Sequence, residues 1–378
     1  MKPVTLDDLR RYAIARSLFT PTTLKRAFRK LGFVQADPIR APARAQDLIL
    51  RHRVNNYRAG DMERRYSALG IAEDFFVNYG FVTADLQTLM HPRAGVSRWS
   101  ATRKAQAQAL LAFVGERGSV HPREVDAHFS LGSVTNYWGG ASSATTHLLD
   151  SMHYRGLLRV AQREGGIRVY AVQEHAPISL DAAARRERID TLVDVVVRKY
   201  APLPALSLSG LVSRLRYAVP QWRRELASAL IRAKQRLAHT RIDGVDWYWP
   251  ADERPTANRP QDIVRFLAPF DPVVWDRRRF ELLWGWAYRF EAYTPTAKRQ
   301  LGYYALRYCG WTASSGGATS LSEMARFTRT SATWARSLRG NNASSTRSML
   351  NSIACEPFLH LNRDWPPRMP RETSRAVD

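Results

Sequence analysis

Residues 141–172 constrain the fold more than any other stretch. ASSATTHLLDSMHYR has helical spacing over 141–155 and runs straight into GLLRVAQREGGIRVYAV. That second piece predicts strands at 157–161 and 167–172, joined at Gly165-Gly166, a pair free to take the positive φ of a tight hairpin turn. A helix over 101–115 and a short one over 121–129 precede it, the latter starting at His121-Pro122 with proline in the first turn. Helices followed by a β-hairpin carrying Arg159, Arg163 and Arg168 form the pattern of a winged helix, a pattern shared by a plain helix–hairpin packing unit.

The pattern recurs downstream. Residues 185–200 place Ile189, Leu192, Val193, Val196 and Tyr200 on one helical face. Ser207 opens a short helix, and 220–238 reads as a longer one with Trp222, Leu226, Ala229, Leu230, Ala233 and Leu237 inward. Strand-like residues 240–250 follow, and Arg223, Arg224, Arg232, Lys234 and Arg236 lie on or near the outer side of the long helix. Upstream, 5–17 and 21–31 read as helices. Thr5 and Asp8 cap the first, Pro21 sits at the first helical position of the second, and Gly32 ends it. Residues 33–50 continue as an extended piece and then a helix containing Arg44 and Leu48-Ile49-Leu50, so the N-terminal segment reads as a further copy of the unit. The expected fold class is α+β, with tandem winged-helix modules over 1–100, 101–180 and 181–253 and a small β domain over 254–306. In that last domain strands are expected near 287–293 and 300–306, with TPTAKR at the hairpin tip.

Charge narrows the function. The chain has 378 residues with 57 Lys and Arg against 34 Asp and Glu, a formal charge of +23. Such an excess points to a polyanion partner, nucleic acid before anionic membrane, because no long apolar span is present. MKPVTLDDLRRYAIA has no apolar core followed by a cleavage site, so a cytoplasmic protein, nucleoid-associated when bound to DNA, is expected. Both cysteines, Cys309 and Cys355, lie late in the chain and the nine histidines are scattered; no disulfide framework, metal or other cofactor is expected.

The residues that suggest chemistry are Gln35-Ala36-Asp37. In an extended segment an amide and a carboxylate two positions apart project to one side. Together they can hold and deprotonate one water. The plainer alternative is that both tie down a turn before Pro38. No lysine lies in the triplet to form a Schiff base, so a monofunctional hydrolase rather than a lyase is expected. Lys298 and Arg299, at the expected hairpin tip, suit phosphate contact, as do Arg44 and Arg277. For Arg277, salt bridges with Asp271, Asp276 or Glu281 are the competing assignment.

Two stretches carry a family resemblance: VQAD followed by PIRAPARAQDLIL, and LAPFDPVVWDRRRFELLWGWAYRFEAYTPTAKRQLGYY. Over roughly residues 5–306 the chain resembles the AlkZ/YcaQ-like family of bacterial DNA glycosylases. The resemblance implies three tandem winged helices and a small C-terminal β domain. It further implies removal of alkylated purines from double-stranded DNA, unhooking of interstrand crosslinks, and action as a monomer. Gln35-Ala36-Asp37 places the chain with the YcaQ-like QxD branch and implies catalytic roles for Gln35 and Asp37. One departure bears on substrate range and on activity. Where the family shows an aromatic–aromatic–small–His stretch, residues 73–81 read EDFFVNYGF, without the His. A non-catalytic winged-helix DNA-binding protein or regulator shares the charge and the modules; only the triplet and its context separate the two.

From residue 307 to 378 the character changes to Ser, Thr, Ala and Arg with few aliphatics. Composition alone describes a disordered basic tail. The resemblance expects the β domain to continue here, and a shifted reading frame would reconcile the two, leaving the β domain incomplete. Codons beginning with T become apolar codons when read one base earlier, so the gene or a close relative is expected to carry a different in-frame end.

Overall fold

The computed structural model describes residues 3–309 apart from 38, 40–42, 94–97, 136–140, 176–179, 256–264, 286, 293 and 300–306. The expectations about the tail and its reading frame therefore fall outside the described residues, except at 307–309.

The N-terminal segment runs α1 (Leu6–Ser17), α2 (Leu24–Leu31), β1 (Phe33–Gln35), α3 (Ala45–Leu50), α4 (Asp61–Arg64), β2 (Ile71–Phe75), β3 (Tyr79–Thr83) and α5 (Ala84–Met90). Thr5 and Asp8 form the expected reciprocal cap of α1. Helix α2, however, starts at Leu24 with Thr23 as its cap, not at Pro21. Thr22 is drawn into a parallel bridge with Val54, which holds residues 21–23 extended until a hydroxyl cap is reached.

The second segment holds α6 (Ala101–Arg117), α7 (Pro122–Phe129), β4 (Ser133–Thr135), β5 (Ala141–Ser143), α8 (Ala144–Tyr154), β6 (Leu158–Glu164) and β7 (Ile167–Val172). The third holds α9 (Ala182–Tyr200), β8 (Leu203–Pro204), α10 (Ala205–Arg214), α11 (Leu226–Arg236), β9 (Ala238–Ile242) and β10 (Val245–Trp249). The single helix expected over 220–238 is two pieces. Residues Pro220–Glu225 form a 3-10 turn, broken at Trp222 (φ −113°), whose indole packs against the main core.

Among the described residues one connection occurs three times. A short strand or bridge ahead of the helices pairs antiparallel with the second strand of the following hairpin: β1 with β3, Val120 with Tyr170, and β8 with β10. The second segment has a core of its own around Leu110, Val114, Leu148, Met152 and Tyr170. The first and third share one: Leu9, Phe33 and Phe76 pack with Leu192, Val196, Tyr200 and Trp247.

Of the hairpin expected near 287–293 and 300–306, the second strand lies outside the described residues. Strand β11 (Arg265–Leu267) pairs with β12 (Arg307–Cys309), so the first residues of the unusual tail complete a ladder. Between them lie α12 (Arg277–Trp284) and an irregular run at 287–292 with no ladder. This run is held by individual packing, Tyr288 near Phe280 and Phe290 against Phe270. Val273, Val274 and Phe280 seat this segment on Ile14 and Leu18 of α1. No described helix is long and apolar enough to cross a membrane.

Candidate active site

Strand β1 is set by its two neighbours. Gly32 ends α2 in positive φ (+65°), and a Cβ there would lie 2.8 Å from Val195 on α9. On the other flank, Gly80 of β3 pairs with Gln35, and a Cβ on it would stand 2.3 Å from the Val34 carbonyl oxygen. Only glycine allows this approach. The ladder continues one residue past β1, where the Ala36 N–H donates to the Tyr79 carbonyl at 3.1 Å.

The strand lies between two cores. Phe33 belongs to the core shared with α9, whereas Val34 and Ala36 pack on the opposite core around Phe28 and Ile49. The alternation puts Gln35 on the Phe33 side, toward Trp275, which packs on the same core. Lys199 donates its Nζ to the Phe33 carbonyl from beneath, and burial lowers its pKa to about 7.

Gln35 is almost wholly buried, at 4% exposure. Its Oε1 accepts a 2.6 Å hydrogen bond from the indole Nε1 of Trp275. The indole is held by the Tyr200 ring at 5.2 Å and the Arg214 guanidinium at 5.3 Å. Its backbone is fixed by the turn beginning at Asp271, whose carbonyl accepts the Trp275 N–H at 2.8 Å. That turn is tied to the N-terminal segment by a fully buried bidentate pair, Arg53 to Asp271 at 2.8 and 2.9 Å. Arg53 also donates to the carbonyls of Ser17 and Ile49.

Asp37 is half-buried. Burial raises its carboxyl pKa above the ordinary aspartate value, opposed by the Ile39 N–H that donates to Oδ1 at 2.8 Å. Among the described residues no cation stands within ion-pair distance of it. A carboxylate held near water without a cationic partner retains basicity, which suits proton abstraction.

Residues 73–81, where the expected His is missing, wrap this site. Asn78 is exposed at the turn between β2 and β3, next to the Tyr79 that bonds Ala36. The buried acids serve another purpose. Glu73 accepts from Arg163 of β6 at 2.6 Å and from the Tyr79 hydroxyl at 2.6 Å, and Arg163 holds its pKa down despite burial. Asp74 accepts from Arg93 at 2.8 Å and bonds His91 at 2.7 Å. Two of the three hairpin arginines are thereby engaged: Arg163 on Glu73, and Arg168 on Asp150 at 2.9 Å.

The four cations expected at DNA have separate local settings. Arg44, the residue before α3, pairs with Glu63. Arg277 makes none of the expected salt bridges among the described contacts. It donates to the carbonyls of Val274 and Trp275 and lies over the Tyr288 ring at 4.7 Å. Arg299 donates Nε to the Thr294 carbonyl at 2.7 Å, and Lys298 is exposed on a 3-10 turn at Thr296–Lys298. On α11, Arg232 and Arg236 are bound to Asp190 and Asp194 of α9, while Arg223 and Arg224 stay exposed.

The sequence reading found α2 but missed its basic face. Lys25, Arg26, Arg29 and Lys30 are all exposed on the face opposite Leu24, Ala27, Phe28 and Leu31, and no carboxylate pairs with them among the described residues. The i, i+1, i+4, i+5 spacing of the cations was the available signal.

A strongly basic chain built on a repeated helix–hairpin unit, holding a basic carboxylate beside a fixed amide, has the parts of an enzyme that hydrolyses a bond in nucleic acid. The comparisons specify the class. The chain belongs to the AlkZ-like DNA glycosylase family, matching it over residues 28–315, and is accordingly a DNA glycosylase whose substrate is DNA. Among solved structures it is similar to the Streptomyces sahachiroi DNA glycosylase AlkZ, with a TM-score of 0.52 and 13% identity over 82% of this chain and 86% of that one. At that identity the likeness speaks to the fold. Membership settles the choice between enzyme and non-catalytic regulator in favour of the enzyme.

Proposed function

We propose that this glycosylase removes alkylated purines from double-stranded DNA, acting as a monofunctional monomer of the QxD, YcaQ-like branch. An N7-alkylated purine is cationic, so its C1′–N9 bond breaks with the electron pair leaving on a neutral base. The remaining need is a carboxylate beside the cationic sugar and a nucleophile at C1′. Asp37 fills both roles: its charge stabilises the oxocarbenium-like sugar, and it takes the proton as water adds its oxygen to C1′. The observation that carries this reading is the pairing of a buried, fixed Gln35 with a half-buried Asp37 that has no described cationic partner.

The repeated unit is read as three tandem winged helices laid along a duplex, with α2 and the exposed Lys298 and Arg223 on phosphates. Arg44, Arg277 and Arg299 are kept as contacts that would exchange their present partners for phosphate. A crosslinked base cannot enter a tight pocket, so unhooking of interstrand crosslinks would use an open, groove-side approach.

The test is base release from duplex DNA carrying N7-alkylguanine, with heat or alkali revealing abasic sites, comparing wild type with Asp37→Asn. Release by wild type, lost by at least about a hundredfold in the variant, is expected, with no strand cleavage before alkali. Equal release by both proteins would sink the assignment of Asp37.

A further inference from the structure

Indole N–H is a donor and nothing else. The 2.6 Å contact between Trp275 Nε1 and the Gln35 side chain therefore fixes which end of the amide faces the indole: the oxygen. The NH2 group must then point the other way. It carries no hydrogen bond among the described residues and is not among their sealed, unpartnered polar atoms. Trp275 itself has little freedom, packed against Tyr200 and Arg214 and anchored through Asp271 to the buried Arg53.

We infer that Trp275 is a positioning residue that sets the polarity of Gln35, presenting its amide to substrate as a donor. This rests on the reading of Gln35 and Asp37 as the hydrolytic pair and adds a division of labour to it. With its oxygen engaged, Gln35 offers N–H to an acceptor: a lone pair of the attacking water, a sugar or phosphate oxygen, or a ring nitrogen of the base. The proton released by water then has one destination, Asp37. Had the amide been free to flip by half a turn, Gln35 would compete with Asp37 for the water's hydrogens and hold the wrong orientation part of the time. The indole lies 240 residues from its amide in sequence and belongs to the C-terminal segment, so that segment takes part in the chemistry as well as in the packing.

The experiment combines single-turnover base release with DNA affinity for wild type, Trp275→Phe, Gln35→Ala and the double variant, with Asp37→Asn as control. A phenyl ring keeps the stacking and removes the N–H. The expected result is a fall of about tenfold or more in the single-turnover rate for Trp275→Phe, with DNA affinity within about twofold. In the double variant the loss should equal that of Gln35→Ala alone, because Trp275 acts only through the amide. Independent multiplication of the two losses, or an unchanged rate in Trp275→Phe, overturns the inference. Should phenylalanine disturb the fold, 3-benzothienylalanine at position 275 keeps the bicycle and deletes only the donor.

A second readout needs no activity. The side-chain NH2 resonances of Gln35, assigned by their loss in Gln35→Ala, should be a sharp, dispersed pair in wild type and should shift or average in Trp275→Phe. Unchanged resonances also refute the proposal. If Asp37→Asn instead retains base release, the hydrolytic assignment has failed, while the spectra still report whether Trp275 orients the amide.

Discussion

Replacing Gly80 by alanine tests how closely the strand that carries the proposed catalytic residues is held. A Cβ at this position would meet the Val34 carbonyl oxygen at 2.3 Å, Phe33 Cε2 at 2.6 Å and Gln35 Cα at 2.8 Å. Two of these atoms are backbone, so no rotamer change relieves them. To restore ordinary contact at 3.4 Å, β1 must withdraw by about 1 Å. That stretches the β1–β3 ladder and the bond from Ala36 to Tyr79, each worth about 0.5–1.5 kcal/mol. Overpacking adds about 1–3 kcal/mol, and the two together give a loss of about 3 kcal/mol. A shift of that size disturbs the 2.6 Å contact between Gln35 and Trp275, and a misplacement of about 1 Å lowers a rate by about a hundredfold. Urea unfolding measures the first quantity, and single-turnover release at saturating enzyme measures the second. A variant within about tenfold of wild-type rate would refute the claim that this ladder sets the site.

Two further outcomes follow from the same geometry. Burial raises the Asp37 pKa, so the folded state favours the neutral carboxyl. Stability from this group is complete below its unfolded pKa and is lost as pH rises through the folded pKa. Asp37→Asn should therefore be at least as stable as wild type at neutral pH, as judged by its Tm. The acidic limb of the wild-type rate profile should sit above the ordinary aspartate pKa; a limb at or below that value would count against Asp37 as the base. Asp271→Ala leaves Arg53 charged and fully buried without its carboxylate, which is expected to cost about 3–5 kcal/mol. Arg53→Met with Asp271→Met should recover most of that in denaturant unfolding, and failure to recover would mean the pair does more than neutralise itself.

The sequence made local punctuation legible and tertiary ties illegible. The cap of α1, the proline start of α7 and the Gly165-Gly166 hairpin all rest on residues within a few positions of each other, and they stand as expected. Where a distant strand intervened, the reading slipped. Thr22 reaches Val54 and delays α2, and Trp222 leaves the helix to reach the shared core. Charge was the least legible property. Arg232 and Arg236, read only as lying on or near the outer side of the long helix, and Arg163 and Arg168 of the β6–β7 hairpin prove to be engaged by Asp190, Asp194, Glu73 and Asp150, because a sequence shows the sign of a residue and not its partner. The cations of α2, which no described carboxylate pairs, went unremarked.

The triplet itself was legible because its chemistry is confined to adjacent positions, but the features that discipline it are spread over the whole described chain. Gly80 comes from the next hairpin, Lys199 and Tyr200 from α9, Arg214 from the end of α10, and Trp275 from the turn before α12. Each tie is directional. Lys199 fixes a carbonyl of β1, Gly80 fixes its edge and Trp275 fixes one end of its amide. Asp37 alone is left half-buried and without a described cationic partner, in a setting that raises its energy when ionised. An arrangement that fixes the amide through its oxygen and leaves the carboxylate without a described cation is poor economy for a structural turn before Pro38. It is what a hydrolytic site requires, since the acceptor of the proton must be basic and the groups around it must not compete for that proton.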